Sequence, residues 1–237
     1  MKRVFITIAD FIRNLFVTQS MPWTIHESKD SKKRVLICFI IAPFYLTKRS
    51  IKHANVIESR IIAREFHKLG YSVDVVDYRC TRKINYSKYD VIFGFGVPFS
   101  NSFEYELQLK RICYLNGSSP NFSNEREAMR IRDIYNHSGK LLTPRRESYW
   151  PWMNVVINSD LMILAGNEVT KSTYEGLNEN IKTVPVPMIP SKLKQNNFLK
   201  SGFLWFGGAG AVHKGLDLVL DASCEIENDF SLDICGP

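Results

Sequence analysis

The chain has 237 residues, 45% hydrophobic and 23% charged, an ordinary globular composition with enough apolar material for a sizeable core. Its net charge is +7, and residues 1–34 hold +4 of it: Lys2, Arg3, Arg13, Lys29, Lys32, Lys33 and Arg34 against Asp10, Glu27 and Asp30. The remainder is only mildly basic, which argues against a nucleic-acid binder, and the odd set Cys38, Cys80, Cys113, Cys224 and Cys235 has no C-x-x-C spacing, which argues against a disulfide framework or a zinc site and points to a reducing, cytoplasmic setting.

Along residues 1–20, Val4, Phe5, Ile8, Phe11, Ile12, Leu15 and Phe16 recur at helical spacing, with Arg3, Asp10, Arg13 and Asn14 opposite. This predicts an amphipathic arm, either packed on its own protein or lying at the inner face of a membrane. No apolar run is long enough to span a bilayer, and Asp10 and Arg13 interrupt the only stretch that resembles a secretory signal. Glu27–Arg34 reads as a charged connector, so residues 1–34 form an arm and linker.

A regular alternation follows. Val35–Ile41 is a nearly unbroken apolar run, as in a strand buried on both faces. After a loop at Ala42–Asn55, Val56–Leu69 reads as a helix, with Val56, Ser59, Ile62, Ala63, Phe66 and Leu69 on one face and Gly70 as its stop. Strands are predicted at Ser72–Tyr78, Asp90–Phe95, Arg111–Leu115, Asp160–Ala165 and Thr183–Val186. Helices are predicted at Phe103–Lys110, Glu125–Asn136 and from Glu168 toward Gly176. In the second of these, Glu125, Arg126, Glu127 and Arg130 read as a solvated face with weak ion pairs. Such repetition implies a parallel sheet whose ligand crevice lies beyond the carboxyl ends of the strands.

Pro185, Pro187 and Pro190, followed by the polar run Ser191–Asn197, mark a linker. The alternation then restarts with a strand at Phe203–Phe206, a glycine-rich turn at Gly207–Gly210, a helix at Leu216–Cys224 and a strand at Phe230–Cys235. The expected organisation is a Rossmann-like α/β domain over 35–190 and the first βαβ of a second Rossmann-like domain over 191–237. Neither a P-loop nor a dinucleotide fingerprint fits the turn, because His213 stands where each pattern needs its last glycine.

Three stretches in this order resemble the GT-B glycosyltransferases, in particular the large retaining family often called family 4. They are His53-x-Asn55 with the following helix and Gly70-Tyr71-Ser72-Val73-Asp74-Val75; Gly166-Asn167-Glu168-Val169-Thr170-Lys171-Ser172-Thr173-Tyr174; and Phe203-Leu204-Trp205-Phe206-Gly207-Gly208 with His213-Lys214-Gly215-Leu216. The resemblance implies transfer of a sugar from a nucleotide-sugar donor to a saccharide or lipid-linked acceptor, in cell-surface polysaccharide or glycolipid synthesis. It implies no metal and no cofactor beyond the co-substrate. It also implies that 191–237 is the incomplete start of the donor domain, so that residues 1–237 alone are inactive. A non-catalytic nucleotide-binding module is the competing reading.

The chemistry is coherent on its own terms. A departing nucleoside diphosphate gains charge as the sugar–phosphate bond breaks, and cations and backbone N–H groups must meet it. Gly207, Gly208, His213 and Lys214 are the donor-phosphate candidates, with a purely structural turn as the alternative; no arginine lies within Gly207–Gly215. On the acceptor side the candidates are His53, Asn55, Ser118, Ser119, Asn167 and Thr170. Asn55 and Asn167 are equally suited to capping helices. Ser118 and Ser119 stand where many relatives place a histidine, and no catalytic residue is assigned.

Overall fold

The structure, a computed structural model, describes residues 16–45, 54–105, 108–148, 152–187, 202–207, 210–227 and 230–236. In chain order the elements are β1 (Trp23–His26), β2 (Arg34–Phe39), α1 (Ala42–Tyr45), α2 (Ala54–Lys68), β3 (Ser72–Asp77), β4 (Val91–Gly94), α3 (Val97–Asn101) and β5 (Lys110–Asn116). There follow α4 (Pro120–Ser138), α5 (Trp152–Asn158), β6 (Leu161–Ala165), α6 (Glu168–Ser172), β7 (Ile181–Val184), β8 (Phe203–Phe206), α7 (Leu216–Cys224) and β9 (Leu232–Cys235). The described residues fall into two compact units, one within 1–119 and 151–189, the other within 120–150 and 190–237.

The first unit carries a seven-stranded sheet in the order β1-β3-β2-β4-β5-β6-β7. All neighbours are parallel except β1, which runs antiparallel to β3. The unbroken apolar run of β2 is explained by its place: Val35 pairs with Val73 on one side and Val91 on the other. From β2 the chain steps outward to β3 and then passes back across β2 to β4. That reversal makes the carboxyl ends of β2 and β4 a topological switch point, the place where open α/β sheets bind ligands. α2 is closed by Gly70 at φ +88°, where Gly70 N–H donates to the His67 carbonyl (2.9 Å) and Tyr71 N–H to the Phe66 carbonyl (3.1 Å). The Phe66 and Tyr71 rings meet edge to face at 5.8 Å, which completes a Schellman stop with its hydrophobic contact.

Two carboxylates inside β3 are buried and fully employed. Asp74 accepts from Thr24 Oγ1 (2.7 Å), Arg34 Nη1 (2.8 Å) and the Tyr89 hydroxyl (2.8 Å), tying β1, β2 and the segment before β4 to one point. Burial, then the hydrogen bond to Asp74, pushes the Tyr89 hydroxyl well above its usual range. Asp77 holds the Arg79 guanidinium at 2.8 Å.

Several expectations need correction. The segment read as arm and linker contains β1, so the first sheet begins ahead of residue 35. The loop after β2 opens with α1. The helix expected at Phe103–Lys110 lies upstream as α3 and a 3-10 turn at Ser102–Glu104, because Pro98 is tolerated in a first helical turn. α4 starts at Pro120 for the same reason, five residues before the expected Glu125. α5, which buries Trp152, Val155 and Val156, was not expected, and β7 lies two residues earlier than read. Of the arm predicted over residues 1–20, residues 1–15 lie outside the described residues. Among the described residues no helix is long and apolar enough to cross a membrane.

In the second unit β8 and β9 form a two-stranded parallel sheet joined through α7. α4, distant in sequence, belongs here. Arg130 pairs with Asp217, the His213 Nε2 lies 3.5 Å from Glu127 Oε1, and the His137 Nε2 lies 3.9 Å from Asp221 Oδ2. The pairs advance in the same direction on both segments. Glu127 is therefore buried and Arg130 mostly so, not members of a solvated face.

Candidate functional site

The strand ends of the first unit are shaped by two glycines. Gly94 (φ +123°) and Gly96 (φ +89°) take left-handed conformations, and a Cβ on either would overlap a backbone carbonyl, that of Cys38 or of Tyr78. Close passage of the chain lets Phe95 N–H donate to the Cys38 carbonyl (3.1 Å) and Val97 N–H to the Tyr78 carbonyl (2.8 Å). Phe95 then stands between Phe39 (5.5 Å, edge to face) and Tyr78 (5.0 Å). α2 carries Glu58, which is buried. Its Oε1 accepts from the Tyr114 hydroxyl, and its Oε2 has no partner among the described residues. Burial drives the Glu58 carboxyl above its ordinary range, and the Tyr114 bond opposes this in part. Sequence reasoning missed Glu58. The available signal was its place four residues before Ile62 and eight before Phe66, on the apolar face of the helix.

A second cluster joins the carboxyl ends of β5 and β6, where Asn116 lies in register with Ala165. Ser119 N–H donates to Thr173 Oγ1 (2.9 Å), which in turn donates to the Thr170 carbonyl (2.7 Å). Asn167 Oδ1 accepts from Thr170 N–H (3.0 Å) and Thr170 Oγ1 (3.1 Å), and so caps α6. Tyr174 donates to the Gly117 carbonyl (3.2 Å). The structure thus brings Ser119, Asn167 and Thr170 together and engages each in holding these loops; Ser118 is half-buried next to them. Asn55 falls in the first turn of α2, inside the helix instead of ahead of it. His53 lies outside the described residues.

In the second unit the turn after β8 is organised by Trp205. Gly207 N–H donates to the Cys235 carbonyl (2.9 Å), and a Cβ on Gly207 would overlap the Trp205 indole. The indole N–H donates to the Lys214 carbonyl (3.1 Å), so one buried ring fixes both ends of the turn. Val212–Lys214 make a 3-10 turn, and Gly215 (φ +72°) leads into α7. Lys214 is exposed immediately ahead of that helix, whereas His213 is half-buried against Glu127. Gly208 lies outside the described residues. One cation was not anticipated: a Cβ on Gly210 (φ +101°) would sit 3.4 Å from Arg145 Nη1 and 3.4 Å from His213 Cδ2. Arg145 comes from the segment after α4, whose backbone is pinned by Glu127 and Asn124. Among the described residues no group of three His, Cys, Asp or Glu side chains could hold a metal ion.

These features define an α/β protein with a mostly parallel, Rossmann-like sheet that has a topological switch point in its first unit, and a β8–α7 turn with Arg145 and Lys214 beside it in its second. No family model matches the chain, and no curated protein or solved structure matches it.

Proposed function

We propose that the chain belongs to a GT-B-type retaining glycosyltransferase, with the first unit on the acceptor side and the second on the donor side. It would transfer a sugar from a nucleotide-sugar to a saccharide or lipid-linked acceptor in cell-surface polysaccharide or glycolipid synthesis, at the cytoplasmic face of a membrane. The observation that carries this reading is the glycine turn after β8, locked by Trp205 and followed by the exposed Lys214 at the head of α7. A turn held in this way presents an ammonium to a diphosphate without reorganising as charge develops. The strand ends of the first unit, with the aromatic cluster of Phe39, Phe95 and Tyr78 and the Glu58 carboxyl, suit a polyhydroxylated acceptor.

Ligand-observed NMR on the full chain with UDP, GDP, CDP and ADP tests this. At least one nucleoside diphosphate should bind, and Lys214→Ala should weaken it about tenfold, the loss of one charge-assisted contact. Binding of none of the four, or binding indifferent to Lys214, would remove the basis of the reading.

A further inference from the structure

We infer that Arg145, from outside the glycine turn, supplies the guanidinium of the diphosphate site. This rests on the reading above and adds a residue to it. The turn itself contains no arginine between Gly207 and Gly215. Arg145 nevertheless lies against it, its Nη1 3.4 Å from the point a Gly210 Cβ would occupy. A Cβ at 210 would come into van der Waals contact with both Arg145 and His213, and the positive φ there favours glycine.

The segment carrying Arg145 is held in place without using its side chain. Glu127 accepts the Arg145 N–H, and also the Arg146 N–H at 3.0 Å. Asn124 and Ser148 are joined twice, Asn124 Nδ2 donating to the Ser148 carbonyl (3.0 Å) and Ser148 N–H to Asn124 Oδ1 (2.9 Å). The backbone is therefore fixed on α4, while the Arg145 side chain has no carboxylate partner among the described residues. Two nearby acids are engaged elsewhere: Glu127 with two N–H groups and His213, and Asp217 through its Oδ2 with Arg130. What remains at the turn is a guanidinium and an ammonium, Arg145 and Lys214, neither of them in an ion pair among the described residues. A planar fork and a point charge suit adjacent phosphates better than one carboxylate.

Inorganic pyrophosphate is the probe, because it needs the two cations and no nucleoside pocket. It would be titrated calorimetrically into the full chain at low ionic strength, with circular dichroism and melting curves confirming that each variant is folded. Arg145→Ala should weaken binding about tenfold, Lys214→Ala should do the same, and Arg145→Lys should lose several-fold because an ammonium cannot bridge two oxygens. Arg146→Ala, its exposed neighbour, should stay within about twofold, the effect of one screened surface charge. Equal losses in Arg145→Ala and Arg146→Ala would reduce the effect to general charge and overturn the assignment. Binding that needs Lys214 but not Arg145 would overturn it while leaving the transferase reading standing. Failure of the wild-type chain to bind pyrophosphate or any nucleoside diphosphate would overturn both.

Discussion

β2 in the first unit and β8 in the second are the same kind of sequence, short unbroken apolar runs, yet they end in opposite surroundings. Val35, Leu36, Ile37, Cys38 and Phe39 are each no more than 2% exposed. Phe203, Leu204 and Phe206 are 60%, 64% and 81% exposed, and of the four residues of β8 Trp205 alone is buried. β2 has a parallel neighbour on each edge, whereas β8 has β9 on one edge. A groove of about 270 Å³ lined by Phe203, Trp205, Val219, Ile226, Phe230 and Leu232 lies open beside β8. Burial is thus a property of how many layers and strands surround a run, not of the run itself. The first unit has converted its apolar content into stability; the second still exposes much of it.

The comparison breaks most readily at the glycines. Gly94→Ala would drive a methyl group into the Cys38 carbonyl and force an unfavourable φ of +123° in the centre of the sheet. A loss on the order of 4–5 kcal/mol is expected, the range of severe backbone and packing conflicts. Gly215→Ala in the second unit also requires a positive φ, but its nearest neighbour would be Leu218 Cδ1 at 3.8 Å, so only about 1–2 kcal/mol of backbone strain is at stake. Urea denaturation of both variants measures the difference, and equal losses would contradict the packing contrast. Asp74→Ala comes next. It leaves Arg34, Thr24 and Tyr89 without their shared acceptor, and about 3 kcal/mol should be lost from the first unit, as when a buried ion pair is deprived of one partner. Hydrogen exchange should localise the loss to β1–β3 and spare β8–β9.

How far these features are legible in the sequence follows from the range of the interactions involved. The parallel sheet of the first unit is readable because each strand announces itself within a few residues, and Gly70 marks its helix end through purely local geometry. α3 and α4 are misplaced by proline, which ends a helix from inside but is harmless in its first turn. Glu127 looks like a solvated residue because α4 taken alone cannot reveal that His213 and Asp217, far along the chain, will cover one of its faces. Arg145 is invisible for the same reason: nothing in its neighbourhood connects it to Gly210. At the candidate site, Lys214 and the glycine turn are legible as a motif, while the cation beside them depends on tertiary structure.

A smaller effect concerns charge inside the buried region. Burial raises the Glu58 carboxyl above its ordinary value of 4.5, so the folded state prefers the protonated acid. The contribution of Glu58 to stability is fully present below about pH 4.5 and falls as pH rises through the higher folded value. Glu58→Gln cannot ionise and keeps an oxygen for the Tyr114 hydroxyl. The melting temperature of the variant relative to wild type should therefore climb from pH 4.5 to pH 8. A flat difference across that interval would mean that Glu58 is solvated, and that the first unit is less tightly closed at its strand ends than β2 suggests.

The smallest effect is the most direct test of the contrast. Phe206→Ser removes a large ring, but one that is 81% exposed, so the stability of the second unit should change by no more than about 0.5 kcal/mol. The same exchange at Phe39, packed between Phe95 and Tyr114, would empty a core position. Exchange rates of the β8–β9 amides provide the readout, since unfolding of the first unit would mask so small a change in a global melt. A several-fold acceleration in Phe206→Ser would show that the ring is covered in solution. Repeating the measurement at two protein concentrations identifies the cover: an effect that grows with concentration comes from a second copy of the chain, and one that does not comes from within it. Either outcome would make the openness of β8 a feature that association or closure removes. An unchanged rate leaves β8 as the exposed counterpart of β2.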